Sequence, residues 1–137
     1  MLRIIGLIVS VIVAFVSITS SVAAKESTHV KGPNGLEGWT LLVPLDIGDE
    51  APTKLIIASK GKVIRQFKGD PFIWTWTFLE NGKQIAFETG PPHFSMACVL
   101  VNTSTGKKLA QVDCFTYPEN PPSGGWPRWV DALEKDE

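Results

Sequence analysis

Hydrophobic and polar positions alternate with a period of two over most of the chain, and a helical period is nearly absent before residue 126. Seven runs rich in β-branched and aromatic residues stand between clusters of Gly, Pro and Asn: Trp39 to Leu45, Lys54 to Ser59, Lys62 to Phe67, Phe72 to Leu79, Gln84 to Thr89, Ser95 to Asn102 and Lys107 to Phe115. Runs of that length and spacing predict antiparallel strands. Three connections, Ser59-Lys60-Gly61, Glu80-Asn81-Gly82 and Thr103-Ser104-Thr105-Gly106, end in a glycine able to take the positive φ that short hairpin loops need. The polar stretch Asp46 to Pro52 reads as a longer surface loop. The expected fold is all-β: a small antiparallel meander of about seven strands, with a short C-terminal helix.

The helix rests on Trp126, Trp129, Val130 and Leu133, which fall at i, i+3, i+4 and i+7, with Pro127 suited to the first turn. Such a segment of about ten residues is marginal alone. Its Trp face is therefore expected to dock on the sheet, the other use of the stripe being another protein. Tyr117 to Gly125, rich in Pro and Gly, reads as an extended linker.

At the other end, Arg3 precedes an apolar run from Ile4 to Val16 and a small, polar stretch ending Ser21-Val22-Ala23-Ala24-Lys25. This is the pattern of a secretory leader cleaved after Ala23 or Ala24. An uncleaved anchor is the alternative, since a span needs about 20 apolar residues. The expected organisation is a leader over 1–24, an all-β domain over 25–117, and a Pro/Gly linker with a short amphipathic helix over 118–137. After the leader the product is secreted or periplasmic and has no membrane segment.

Charge narrows the partners. Beyond the leader, 12 basic residues face 14 acidic ones, which gives no footprint for nucleic acid. Lys54, Lys60, Lys62, Arg65 and Lys68 are read as solvated positions guarding an edge strand.

Chemistry is sparse. Only two histidines occur: His29, near the start of the mature chain, and His93 in the loop Gly90-Pro91-Pro92-His93-Phe94-Ser95. The spacing of His93 and Ser95 is not that of a nucleophile and its base, and no nucleophile elbow, phosphate loop or metal-ligand spacing is present. No catalytic residue, metal or cofactor is expected. Phe72, Trp74, Trp76 and Phe78 alternate with Ile73, Thr75, Thr77 and Leu79, so they are expected to share one face, as core or as a platform for sugar rings. Candidate binding residues are Trp74, Trp76, His93, Trp126 and Trp129.

Cys98 and Cys114 either bridge, as export favours, or remain two buried thiols. If Asn102 pairs with Lys107, Cys98 faces Gln111 and a bulge or bend after Asp113 is needed to bring the sulfurs together. Asn102-Thr103-Ser104 is a glycosylation sequon in a hairpin turn, of use only in a eukaryotic secretory route.

Two hairpins echo one another: Leu55-Ile56-Ile57-Ala58 before Gly61-Lys62 and Val99-Leu100-Val101-Asn102 before Gly106-Lys107, the Gly-Lys steps lying 45 residues apart. The segment Phe78-Leu79-Glu80-Asn81-Gly82-Lys83-Gln84-Ile85-Ala86-Phe87 resembles the Trp-Ser-Pro-Asp-Gly-Lys-x-Ile-Ala-Phe signature of TolB-like, WD-repeat-like propeller blades. Gly82, Lys83, Ile85, Ala86 and Phe87 agree, whereas Phe78, Glu80 and Asn81 stand where such blades have Trp, Pro and Asp. The resemblance spans about residues 54–115 and implies one to two blades, fewer than a closed ring requires. It brings no catalytic residues. The function expected is a non-enzymatic exported binding or accessory module that engages an envelope protein. A carbohydrate-binding or small hydrolytic domain is the alternative.

Overall fold

The computed structural model describes residues 24–46 and 48–135. The expected leader lies outside them, Ala24 excepted, and among the described residues no helix is long and apolar enough to cross a membrane. The elements are β1 (Lys25–Glu26), β2 (Val30–Lys31), β3 (Leu36–Pro44), β4 (Glu50–Ser59), β5 (Lys62–Lys68), β6 (Phe72–Leu79), β7 (Gln84–Gly90), β8 (Ala97–Asn102), β9 (Lys108–Asp113) and α1 (Arg128–Glu134). The seven expected strands are present, and two short ones precede them. The all-β class with a small C-terminal helix holds.

The strands form two antiparallel sheets. The first has the order β1-β3-β4-β5, with β2 also paired to β3, and the second the order β6-β7-β8-β9. One expectation needs correction here. Glu50 to Pro52 belong to strand β4, not to the loop, because they pair with Leu42 to Pro44 beyond a bulge that leaves Thr53 unpaired. A proline is tolerated there because a bulge interrupts the ladder.

The sheets pack face to face. Leu55 and Ile57 of the first meet Ile73, Ile85, Phe87, Val99 and Val101 of the second, with Trp76 and Phe78 packed against them. On the far side of the second sheet, Val130 and Leu133 of α1 cover Ala86, Cys98, Leu100 and Cys114, with Trp126 and Trp129 packed alongside. The helix thus docks within its own chain, as its apolar stripe predicts. The outer face of the first sheet carries the smaller cluster Trp39, Ile56 and Ala58.

The aromatic row of β6 does not keep one face. Ile73 pairs with Thr89 and Trp76 with Phe87, so Trp74 and Thr75 stand against Glu88 alone. This bulge shifts the phase of the strand. Ile73, Trp76 and Phe78 consequently enter the core between the sheets, whereas Trp74 stays 38% exposed. The rings of Trp76 and Phe78 meet edge to face, their centroids 5.2 Å apart. They close against backbone: a Cβ on Gly38 would overlap the Trp76 ring, and one on Gly32 the Phe78 ring.

The two sheets echo one another at their tips. Asn34 and Asn81, with φ of 57° and 55°, each precede a positive-φ glycine, Gly35 and Gly82. Asn tolerates this left-handed region better than other non-glycine residues. The Asn34 amide donates to the Asn81 carbonyl at 3.3 Å, tying the two turns together. The Gly-Lys hairpins also agree, because Ile64 of β5 and Leu109 of β9, each three residues after its glycine, are left out of the ladder by a bulge.

Before β3 the chain lies along that strand as a strap. Ser27 N–H donates to the Thr40 carbonyl at 2.9 Å, and Thr40 N–H donates to Ser27 Oγ at 2.8 Å. His29 stacks flat on Trp39, with centroids 4.0 Å apart, and its ring nitrogens meet Glu26 at 2.9 Å and Glu37 at 3.0 Å. The hydrogen bond to Glu26 is the main cause that raises the His29 pKa above its ordinary 6.5, with Glu37 adding to it against some desolvation.

Gly38→Ala should destabilise the fold by about 1–3 kcal/mol, the usual cost of overpacking. In denaturant unfolding, a double-mutant cycle with Trp76→Phe should give a coupling of at least about 0.5 kcal/mol, and additivity would contradict the contact. For the strap the sign is set by the raised pKa: its ion-pair contribution is complete below 6.5 and is lost as pH rises through the raised folded-state value. Proteolytic cleavage after Lys31, corrected for protease activity, should therefore increase over that rise in the wild type and vary less in His29→Gln.

Candidate functional site: a cleft between two sheet edges

β5 and β9 are edge strands, and the space between the sheets opens between them at one end. The opening is a cleft of about 420 Å³ whose wall residues include Phe87, Ala97 and Val99. Phe87 and Val99 are buried residues of the inter-sheet core, so the floor of the cleft is the core itself, reached from the side. Lys68 at the end of β5 and Asp70 in the link to β6 border it on one side, and Lys108, Gln111 and Asp113 of β9 on the other. Two ammonium groups and two carboxylates give the rim both signs of charge.

Local structure holds these groups in place. Thr89 is buried at the back, where its hydroxyl accepts from Asp70 N–H and donates to the Phe72 carbonyl, both at 2.7 Å. This fixes the link between the sheets beside the cleft. Lys108 Nζ donates to Gln111 Oε1 at 2.8 Å, and Asp113 Oδ1 accepts from Phe115 N–H at 3.0 Å. Away from the cleft, Arg65 Nε donates to the Thr103 carbonyl at 3.2 Å and its Nη1 to the Ile64 carbonyl at 3.0 Å. Arg65 is therefore half-buried and clips the sheets together, correcting its reading as a solvated guard.

The loop between β7 and β8 forms one wall through Pro91, Ser95 and Met96. At its tip His93 takes a φ of 63° and Phe94 is 78% exposed. Among the described residues no hydrogen bond joins His93 to Ser95, so the loop presents an aromatic side chain and no nucleophile with its base.

The other candidate residues lie apart from the cleft. Trp74 Nε1 donates to the Gly90 carbonyl at 2.9 Å, at the root of the same loop. Trp76 belongs to the core, so the two indoles do not make a shared platform. Trp126 Nε1 donates to the Pro118 carbonyl at 3.0 Å, and its ring meets Tyr117 edge to face at 5.2 Å. Tyr117 donates in turn to Asp131 at 2.8 Å, and this hydrogen bond is the main cause of its raised pKa. Trp126 and Trp129 thus bind the tail to the second sheet.

Cys98 and Cys114 are bridged, with Cα atoms 5.8 Å apart. The expected register is wrong by one place. The bulge at Leu109 sets Cys98 opposite Val112 and Val99 opposite Gln111, so Cys114, two residues beyond Val112, returns to the face of Cys98. Cys114 N–H donates to the Met96 carbonyl at 3.0 Å, extending the ladder. Two carboxylates flank the bridge. Glu88 is the direct cross-strand neighbour of Cys98, and Glu134 Oε1 of α1 lies 3.8 Å from Cys98 Sγ. One potential ligand atom from each of these four residues lies within 4.8 Å of the other three. No sequence spacing marks this group, because it draws on three strand regions and the helix.

Compared with known proteins, the chain matches no family model, no curated protein and no solved structure.

Proposed function

We propose that the chain is a non-enzymatic, exported binding module that engages an envelope protein through the cleft between β5 and β9. The observation that carries this reading is the juxtaposition of an apolar floor, Phe87 and Val99, with a charged rim and the unpaired edge of β9. An extended segment of a partner can satisfy both: its backbone adds to the β9 edge, and alternate side chains enter the cleft or reach the rim. The mixed rim suits a peptide bearing both charges better than a polyanion. Phe94, exposed on the wall loop, adds an apolar contact of the kind binding surfaces use. The tail aromatics contribute to the fold and are not part of the binding surface in this reading.

The test begins with a photo-crosslinker at Gln111, with the same group at Lys62 as control. A synthetic peptide covering the crosslinked segment is then titrated into isotope-labelled protein. Amide shifts should centre on Lys68, Phe87 and the edge of β9. Reversing both rim charges, Lys68→Glu with Lys108→Glu, should weaken binding by about five- to thirtyfold, since each exposed ion pair contributes on the order of 0.5–1 kcal/mol. Shifts confined to α1, or equal crosslinking at Lys62, would exclude the cleft.

A further inference from the structure

The four residues around the disulfide have the chemistry of a metal site in a different redox state. Cys98 and Cys114 are buried and Glu88 and Glu134 half-buried, and their ligand atoms already lie within 4.8 Å of one another. While the sulfurs are bonded to each other they have little donor strength. Reduction changes this. A dithiol of the thioredoxin class transfers two electrons and two protons, its own sulfurs joining as a disulfide while the Cys98–Cys114 bond breaks into two thiols. The two thiols and two carboxylates then face one another beneath α1, beside Leu100, Val130 and Leu133.

We propose that Glu88, Cys98, Cys114 and Glu134 form a tetrahedral site for Zn²⁺ when the disulfide is reduced, so that the metal and the disulfide occupy the same place and exclude each other. Zn²⁺ binding forms two Zn–S bonds and releases the two thiol protons, while the carboxylates complete the shell. Two sulfur and two oxygen donors select a borderline-soft, four-coordinate cation over Mg²⁺ or Ca²⁺, which take oxygen ligands at higher coordination number. The elements supply the site without new folding: Glu88 and Cys98 are fixed as a cross-strand pair, Cys114 follows on the same face, and α1 brings Glu134 across. On reduction the sulfurs separate, and the Glu88 and Glu134 carboxylates turn inward from the present spacing of up to 4.8 Å to tetrahedral ligand distances. The helix is a ligand-bearing lid, so metal binding holds α1 on the sheet when the disulfide no longer ties residue 114 to β8.

The experiment uses the chain expressed from its first residue and purified as the host processes it. A trialkylphosphine, which breaks the disulfide as it is oxidised to the phosphine oxide with one water, is added or withheld before titration with Zn²⁺. The reduced protein should bind one Zn²⁺ per chain, and the oxidised protein at least about a hundredfold more weakly. Glu88→Gln and Glu134→Gln should each weaken binding by about tenfold or more, in keeping with the sensitivity of metal sites to their surrounding groups. With Co²⁺ the reduced chain should show thiolate charge-transfer absorption and tetrahedral d–d bands. Bound Zn²⁺ should also slow reoxidation of the disulfide. No binding after reduction, or unchanged affinity in both carboxamide variants, would overturn the proposal. If reduction alone loosens the fold, restoration of the native tryptophan emission by Zn²⁺ supports the site, and failure to restore it rejects the site.

Discussion

Closure of the sandwich depends on two aromatic rings lying on backbone. Trp76 and Phe78 occupy the space between the sheets where Gly38 and Gly32 offer no side chain. A small domain has little apolar area to bury, so bringing large rings against a bare strand yields much of its core from few residues. The arrangement is possible only because the bulge opposite Glu88 turns the second half of β6 over. Without that extra residue, Ile73 and the Trp76–Phe78 pair would point to opposite faces, and one of them would be lost from the core.

The sandwich leaves two outer faces, and the chain treats them differently. On the second sheet a seven-residue helix, the aromatic tail and a disulfide close the face. A bridge across a loop of this size contributes on the order of 3 kcal/mol by restricting the unfolded chain. That contribution offsets the weak intrinsic stability of so short a helix. On the first sheet the outer cluster is smaller, and the strap contributes a stacked histidine held by two carboxylates. The two closures answer to different conditions: one to redox state, the other to pH.

The edges explain the remaining surface. In a two-sheet sandwich the outer strands stay unpaired unless something covers them. Arg65 clips β5 to the β8–β9 turn, and the other end is left open as the cleft. The cleft reaches the apolar core from the side, next to backbone groups of β9 that lack a strand partner among the described residues, and the proposed strand addition rests on these two features.

The sequence by itself determined the local features. Period-two alternation located all seven long strands, the glycines at 61, 82 and 106 marked the turns where positive φ is required, and the stripe from Trp126 to Leu133 located the helix and its buried face. These are legible because they depend on residues within a few positions of one another. Bulges are different. Whether Trp74, Ile64, Leu109 or Thr53 is left out of a ladder depends on what the opposite strand and sheet offer, and each bulge reverses the faces that simple alternation assigns. For that reason the aromatic row, the register of the cysteines and the role of Arg65 were decided only by the tertiary structure. The cleft and the group around the disulfide share this origin, since their residues come from separate elements and meet only when two sheets and a helix have packed.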